Sequence, residues 1–98
     1  MIVQFLPAAR QDLVDAAQWY LEDGGPAVAE QLGSAVERAV QLLAQMPQIG
    51  TAYNSGPLRT WPPKRYPYTV VYRVQGDVLT VMAVAHQSRE PGYWVGRR

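Results

Sequence analysis

The sequence predicts an α+β domain in which an N-terminal strand and an antiparallel two-helix hairpin pack on a small, mostly antiparallel β-sheet. Two valine- and tyrosine-rich runs between Tyr68 and His86 flank Gly76-Asp77, which is typical of a β-hairpin with a two-residue turn. Two stretches with apolar residues at spacings of three and four are separated by Gly24-Gly25-Pro26, which indicates two helices joined by a tight turn. A short apolar segment precedes them. The 98 residues are enough for one domain, residues 1–98, and too few for two.

The first two predicted elements are a strand and a helix. Met1 to Leu6 is short and apolar, which suits an edge strand that pairs with a downstream segment. Pro7 can open the helix, because the first turn of any helix leaves its backbone N–H groups unpaired. The predicted apolar stripe consists of Leu13, Ala16, Ala17, Tyr20 and Leu21. The residues predicted to lie off this stripe are Asp12, Asp15, Glu22 and Asp23.

The second predicted helix ends before Pro47, since the residue preceding a proline avoids helical geometry. We interpret Gly33 within it as tolerated, at a cost of about 1 kcal/mol relative to alanine. Residues 47–57 have the composition of a loop, and Leu58 to Trp61 form a short strand that completes a three-stranded meander with the hairpin. The predicted buried residues of the second helix are Val28 or Ala29, Leu32, Val36, Ala39, Leu43 and Met46.

The turn at Gly76-Asp77 predicts which residues of the hairpin face each other. The predicted pairs are Gln75 with Val78, Arg73 with Thr80, Val71 with Met82 and Thr69 with Val84. Alternation along the strands then predicts one apolar face against the helices, made of Tyr68, Val70, Tyr72, Val74, Leu79, Val81, Ala83 and Ala85. Arg73 and His86 fall together on the opposite face, where we expect the functional site.

Composition excludes several classes of protein. The apolar fraction of 48% is too high for a disordered chain, and no apolar run approaches the roughly 20 residues that a membrane helix needs. The chain has no cysteine and one histidine, which excludes disulfides and argues against a zinc site. We therefore expect no metal and no cofactor. The N-terminus lacks a basic segment followed by a long apolar stretch, so we expect a cytoplasmic protein without a secretion signal or membrane contact.

Opposite charges separate along the chain. Residues 1–50 hold two cations and six anions, whereas residues 51–98 hold seven cations and two anions. The two parts carry net charges of −4 and +5, which add to the overall +1. A basic C-terminal half favours an anionic target. Cations scattered over the surface would give the same net charges. Only the placement of the cations in the fold can distinguish scattered charge from a site for an anionic target.

A series of short motifs runs along nearly the whole chain. In the first half it comprises Pro7-Ala8-Ala9, Asp12-Leu13, Trp19-Tyr20, Pro26 with Ala29, and Leu43 to Pro47 with Gly50. In the second half it comprises Leu58-Arg59, Tyr66-Pro67-Tyr68, Val70 to Val74, and Val84-Ala85-His86 with Arg89. In order and spacing these motifs resemble the RelE/ParE superfamily, the toxins of bacterial type II toxin-antitoxin pairs. The resemblance implies a small sheet wrapped by two N-terminal helices, and a cognate antitoxin that neutralises the toxin in a hetero-oligomer.

The resemblance implies two alternative targets. ParE-like toxins poison DNA gyrase and are not known to catalyse a covalent reaction, whereas RelE-like toxins are metal-independent endonucleases that cut mRNA on the ribosome. The helical hairpin and the strand from Pro67 to Val74 are closer to ParE, which favours gyrase. The RelE branch has paired lysines where this chain has Thr60 to Pro63, and basic residues where it has Thr69 and Gln87. A basic nucleic-acid-binding module without toxicity is a third interpretation.

Candidate site residues follow from the chemistry of each target. RNA cleavage by a 2′-hydroxyl needs a base, a proton donor and cations beside the phosphorane. For a nuclease, we assign these roles to His86, Arg89, Tyr93 and Arg65. The same residues also have a purely structural interpretation. In it, the histidine lies on the surface, the arginines are solvated, and Trp94 packs the tail onto the sheet. For binding a target or nucleic acid, the candidates are Arg59, Lys64, Arg65, Arg73, Arg89, Arg97 and Arg98.

Overall fold

The chain forms two layers, a helical hairpin on one face of a five-stranded sheet, in a computed structural model that describes residues 1–63, 65–90 and 92–97. In chain order the elements are β1 (Ile2–Phe5), α1 (Pro7–Asp23), α2 (Pro26–Gln45), β2 (Thr51–Ala52), β3 (Arg59–Trp61), β4 (Tyr68–Gln75) and β5 (Val78–His86). The strand order is β1-β5-β4-β3-β2, in which β1 runs parallel to β5 and the other pairs are antiparallel. This architecture confirms the predicted fold class and the predicted N-terminal edge strand.

The two helices begin and end where the prolines and glycines predict, but one residue in the predicted apolar stripe of each helix is exposed. On α1 the buried side follows Ala9, Leu13, Ala16 and Tyr20, so Leu21 lies to one side and is 50% exposed. Met46 is 51% exposed because it is the C-terminal cap of α2, and its backbone has already left helical geometry. Neither helix in the described part of the chain is long and apolar enough to cross a bilayer.

A second correction concerns the segment from Pro47 to Pro57, which was predicted to be loop throughout. Thr51 and Ala52 add a fifth strand, pairing with Thr60 and Arg59 of β3. The segment is held by side chains of the sheet: the Arg59 guanidinium donates hydrogen bonds to the carbonyl oxygen of Gly50 at 2.7 Å and to Gln48. Two residues are too few to show any alternation, so sequence periodicity has no means of finding this strand.

Apolar side chains fill both faces of the sheet. The main core lies between the helices and the sheet. Its largest fully buried members are Tyr72, Leu32, Leu43, Leu79, Val36, Val70, Val81 and Val84. A smaller cluster on the opposite face consists of Val71, Met82, Ala83, Ala85 and Trp94. Trp94 is 7% exposed, which confirms that it packs the C-terminal tail onto the sheet.

The hairpin contains a β-bulge that changes the predicted register. Gly76 has a positive φ of 59°, as the two-residue turn requires, and the predicted pairs hold from Gln75 and Val78 as far as Tyr72 and Val81. Val71 then pairs with Ala83 instead of Met82, because β5 carries one extra residue at this point. A one-residue shift exchanges the two faces of a strand.

This exchange overturns the predicted faces of β5 beyond the bulge. Ala83 and Ala85 were predicted to face the helices but belong to the cluster on the opposite face. Val84 instead joins the core beneath the helices, and His86 pairs with Tyr68. Arg73 remains opposite Thr80 on the tail side of the sheet. The prediction that Arg73 and His86 share a face is therefore wrong.

Candidate functional site in the cleft between α1 and β5

The bulge brings His86 to an open cleft of about 390 Å³ between α1 and the end of β5. One wall is the side of α1, and the other is formed by the turn and tail that follow β5. The residues that line the cleft are Asp12, Asp15, Ala16, Trp19, Tyr68, Val84, His86, Ser88, Arg89 and Tyr93. A second, larger groove of about 790 Å³ lies between α2 and the segment around Trp61 and Tyr66.

His86 is held by contacts on both sides of its ring. The ring meets Tyr68 edge to face, with 5.0 Å between the two ring centroids. The backbone N–H of Ser88 donates to Nδ1 at 3.0 Å, and the Ser88 hydroxyl lies 2.6 Å from the same nitrogen. Because a backbone N–H can only donate, Nδ1 accepts, and the neutral ring carries its proton on Nε2. In this arrangement neither ring nitrogen offers a free lone pair to a substrate hydroxyl.

Both signs of charge line the cleft. Asp12 and Asp15 extend from α1, where Asp15 is exposed and accepts a hydrogen bond from Gln11 at 2.8 Å. Arg89 is exposed on the other wall, with its guanidinium carbon 4.1 Å from the centroid of the Tyr93 ring. Among the described lining residues, arginine is represented by Arg89 alone. The cleft therefore does not present the excess of cations that a phosphate-binding site needs.

Tyr93 belongs to the C-terminal tail and lines the cleft. Burial raises the pKa of the Tyr93 phenol, and the nearby Asp12 carboxylate raises this pKa further, against the opposing effect of Arg97 and Arg89. The phenol is therefore neutral at physiological pH, where it can donate a hydrogen bond but cannot accept a proton as a phenolate.

Comparison with known proteins identifies the family. The family model of the ParE toxin of type II toxin-antitoxin systems, parDE, matches residues 3–91 of this chain. This chain belongs to the ParE toxin family. Its fold is similar to a solved structure described as the chromosomal ParDE TA system from P. aeruginosa, with a TM-score of 0.78 and 20% sequence identity over 88% of this chain and 95% of that chain. No curated protein sequence matches it.

The ParE fold brings three of the four predicted catalytic candidates together. His86, Arg89 and Tyr93 line the same cleft. Arg65 does not, because it lines the groove beside α2, where its φ of 76° places the backbone in the left-handed region. The catalytic roles of all four residues stay predictions.

The cations predicted to bind a target lie in different surroundings. Arg59 binds backbone carbonyls of the loop before β2, and Arg97 forms an ion pair with Asp12 at 2.6 Å. Arg73 is partly buried, and its Nε has no hydrogen-bond partner among the described residues. Arg65 and Arg89 are exposed. Lys64 and Arg98 lie outside the described residues, and the binding roles of all seven stay predictions.

Sequence reasoning missed three residues of the cleft wall. Asp12 and Asp15 were placed off the apolar stripe of α1, and Asp12 and Trp19 were noted only as parts of motifs. The indole of Trp19 is 56% exposed beside the cleft. A tryptophan outside the predicted apolar stripe, four residues after an aspartate, was an available signal, since large exposed aromatic side chains are enriched at binding sites.

Proposed function

We propose that this ParE-family toxin inhibits DNA gyrase by non-covalent binding and is neutralised by a cognate antitoxin. The observation that carries the proposal is the charge balance of the His86 cleft: among the described residues, the ion pair with Arg97 compensates Asp12, and the exposed carboxylate of Asp15 offsets Arg89. An RNA nuclease acting here would have to stabilise a dianionic phosphorane without an excess of cations, so the free energy of the phosphorane would stay high.

The hydrogen bonds of His86 support the same conclusion. Cleavage by a 2′-hydroxyl needs a base within hydrogen-bond reach. Nδ1 of His86 is occupied by Ser88, and Nε2 carries the proton of the neutral ring. Tyr93 is no better as a base, because its raised pKa keeps the phenol protonated. These residues are instead suited to binding a partner. The rings of His86 and Tyr93 offer apolar faces, Nε2–H of His86 can donate a hydrogen bond, and Arg89 offers its guanidinium.

In this proposal Arg89 is a contact to gyrase. It is exposed, and its stacking on Tyr93 limits the freedom of the side chain, so less conformational entropy is lost when a partner binds. Arginine and aromatic side chains together are the residue types that most often dominate binding energy. The antitoxin would cover the surface around Arg89 or compete with gyrase for it. We propose that the antitoxin contacts the exposed cations, including Arg65.

The test compares two activities of the purified chain. We expect it to inhibit supercoiling of plasmid DNA by bacterial gyrase, and we expect Arg89→Ala to raise the inhibitory concentration by about tenfold, as for loss of a central binding residue. Arg38→Ala is the matched control, because it removes the same charge from the exposed face of α2 beside the other groove. Cleavage of ribosome-bound mRNA with normal supercoiling, and its loss in His86→Ala, would overturn the proposal.

A further inference from the structure

Within the described residues, no strand covers the edge of β5 next to the cleft. β1 pairs with β5 only from Val78 to Val81, and the last contact is the hydrogen bond from the Leu6 N–H to the Val81 carbonyl at 3.0 Å. Beyond it, the Val84 N–H and the Met82 carbonyl bond to side chains. A buried backbone N–H or carbonyl without a hydrogen-bond partner destabilises the fold. These side chains therefore stabilise it by bonding to the two backbone groups.

The two side chains are Asp12 of α1 and Arg97 of the tail. Asp12 Oδ2 accepts hydrogen bonds from the Val84 N–H at 3.0 Å and from Arg97 Nη1 at 2.6 Å, while Oδ1 accepts from Arg97 Nη2 at 3.1 Å. Arg97 Nη1 also donates to the Met82 carbonyl at 3.1 Å. The Asp12 side chain is 12% exposed and that of Arg97 is 21% exposed, so solvent screens the pair less than a surface ion pair.

These bonds join three parts of the chain at the bulge. Between Arg89 and Arg97, the tail contributes Tyr93 to the cleft and Trp94 to the cluster on the tail side of the sheet. Gly92, which precedes these two aromatic residues, has a positive φ of 83°. Arg97 follows them, with its guanidinium carbon 5.1 Å from the centroid of the Tyr93 ring.

We propose that Asp12 is a positioning residue that holds the C-terminal tail, and with it Tyr93, against the cleft. It acts through Arg97 and the bulge of β5 and needs no contact with the target. The carboxylate on α1 thereby sets the shape of a surface built by residues near the other end of the chain. This inference goes beyond gyrase inhibition, because it concerns the order of the tail whatever the toxin binds.

Amide hydrogen exchange of the full-length chain tests the proposal locally. In Asp12→Asn we expect exchange at residues 92–97 and at Val84 to accelerate by at least about tenfold, while the amides of Val70 to Tyr72 in the core are unchanged. Asp15→Asn is the matched control, since it removes the same charge from the same helix and the same cleft, but Asp15 forms no hydrogen bond or ion pair with the described residues of the tail. It should leave exchange in the tail at the level of the parent chain.

A second variant keeps the test decisive if Asp12→Asn does not fold. Arg97→Gln removes the other partner and should accelerate exchange in the same residues, and the double variant should add little to either single change, because all three break one contact. Equal acceleration across the core strands would show that Asp12 holds the whole fold, and unchanged exchange in the tail would show that Trp94 alone holds it. Either result would overturn the proposal.

Growth inhibition on induced expression provides the functional readout. Asp12→Asn and Arg97→Gln should weaken it as much as Tyr93→Ala, and Asp15→Asn should weaken it less. A tail that exchanges faster in Asp12→Asn without any loss of growth inhibition would contradict the positioning role. Failure of gyrase inhibition is a separate result, because the exchange measurement does not depend on the target.

Discussion

At the residue scale, Tyr72 connects the core to the irregular segment before β2. Its ring is fully buried, its hydroxyl donates to the Pro47 carbonyl at 2.8 Å, and the same hydroxyl accepts from the Gly50 N–H at 3.0 Å. Burial is the main cause that raises the pKa of Tyr72. One side chain therefore supplies hydrogen bonds to a segment that has little regular structure of its own.

We predict that Tyr72→Phe lowers the free energy of unfolding by about 1–3 kcal/mol, because it leaves the buried Gly50 N–H without an acceptor. Urea denaturation measures the change. Tyr66→Phe is the control, since the hydroxyl of Tyr66 has no hydrogen-bond partner within the described part of the chain, and it should change stability by less than about 0.5 kcal/mol. Equal effects of the two changes would contradict the role assigned to Tyr72.

At the scale of elements, two glycines show what α2 and the following loop require. A Cβ on Gly33, in the middle of α2, would meet no atom within 4 Å, which confirms that this glycine is tolerated and does not serve close helix packing. A Cβ on Gly50 would lie 2.8 Å from Cε1 of Tyr72, whose ring is buried and has no room to move. The same residue type is therefore dispensable in the helix and required in the loop.

We predict opposite effects of the same substitution at these two positions. Gly33→Ala should raise the free energy of unfolding by up to about 1 kcal/mol, the difference in helix propensity. Gly50→Ala should lower it by about 1–3 kcal/mol, because the added methyl group overpacks the site. Denaturant midpoints of the two variants measure both effects, and a destabilised Gly33→Ala would show that α2 packs against something at this position.

At the scale of the whole molecule, burial of three tyrosines links stability to pH. Burial is the largest cause that raises the pKa of Tyr68, Tyr72 and Tyr93. In the unfolded chain these phenols lose their protons near pH 10, whereas the folded chain retains them to higher pH. Above this pH the unfolded state binds fewer protons than the folded state, so stability falls as pH rises.

We therefore predict that the ionisation of these tyrosines leaves the free energy of unfolding unchanged below about pH 9 and lowers it as the pH rises above about 10. Urea titrations at a series of pH values measure this dependence. Tyr93→Phe should make the decrease smaller, since one of the three linked groups is removed. A decrease of the same size in Tyr93→Phe would show that the Tyr93 phenol does not contribute.

Much of the fold was predictable because its signals are local. Pro7, Gly24 to Pro26 and Pro47 mark the helix boundaries, and Gly76-Asp77 marks the hairpin turn, since each depends on the backbone preferences of a few consecutive residues. The motifs along the chain also led to the correct toxin superfamily. Of the cleft, His86, Arg89 and Tyr93 were candidates from the chemistry of the RNA target that the resemblance implies, and the structure brings them together.

The sequence by itself thus determined the helices and main strands, their order and the family. The tertiary structure decided which face of the sheet each residue of β5 occupies and which side chains contact each other. Alternation along β5 predicts a uniform strand, but the extra residue at Met82 moves Val84 and His86 to the helix side. A bulge depends on hydrogen bonds and packing between strands, which periodicity does not contain. Asp12 meets Arg97 across 85 residues of sequence, a contact that exists only after the sheet and the tail have packed.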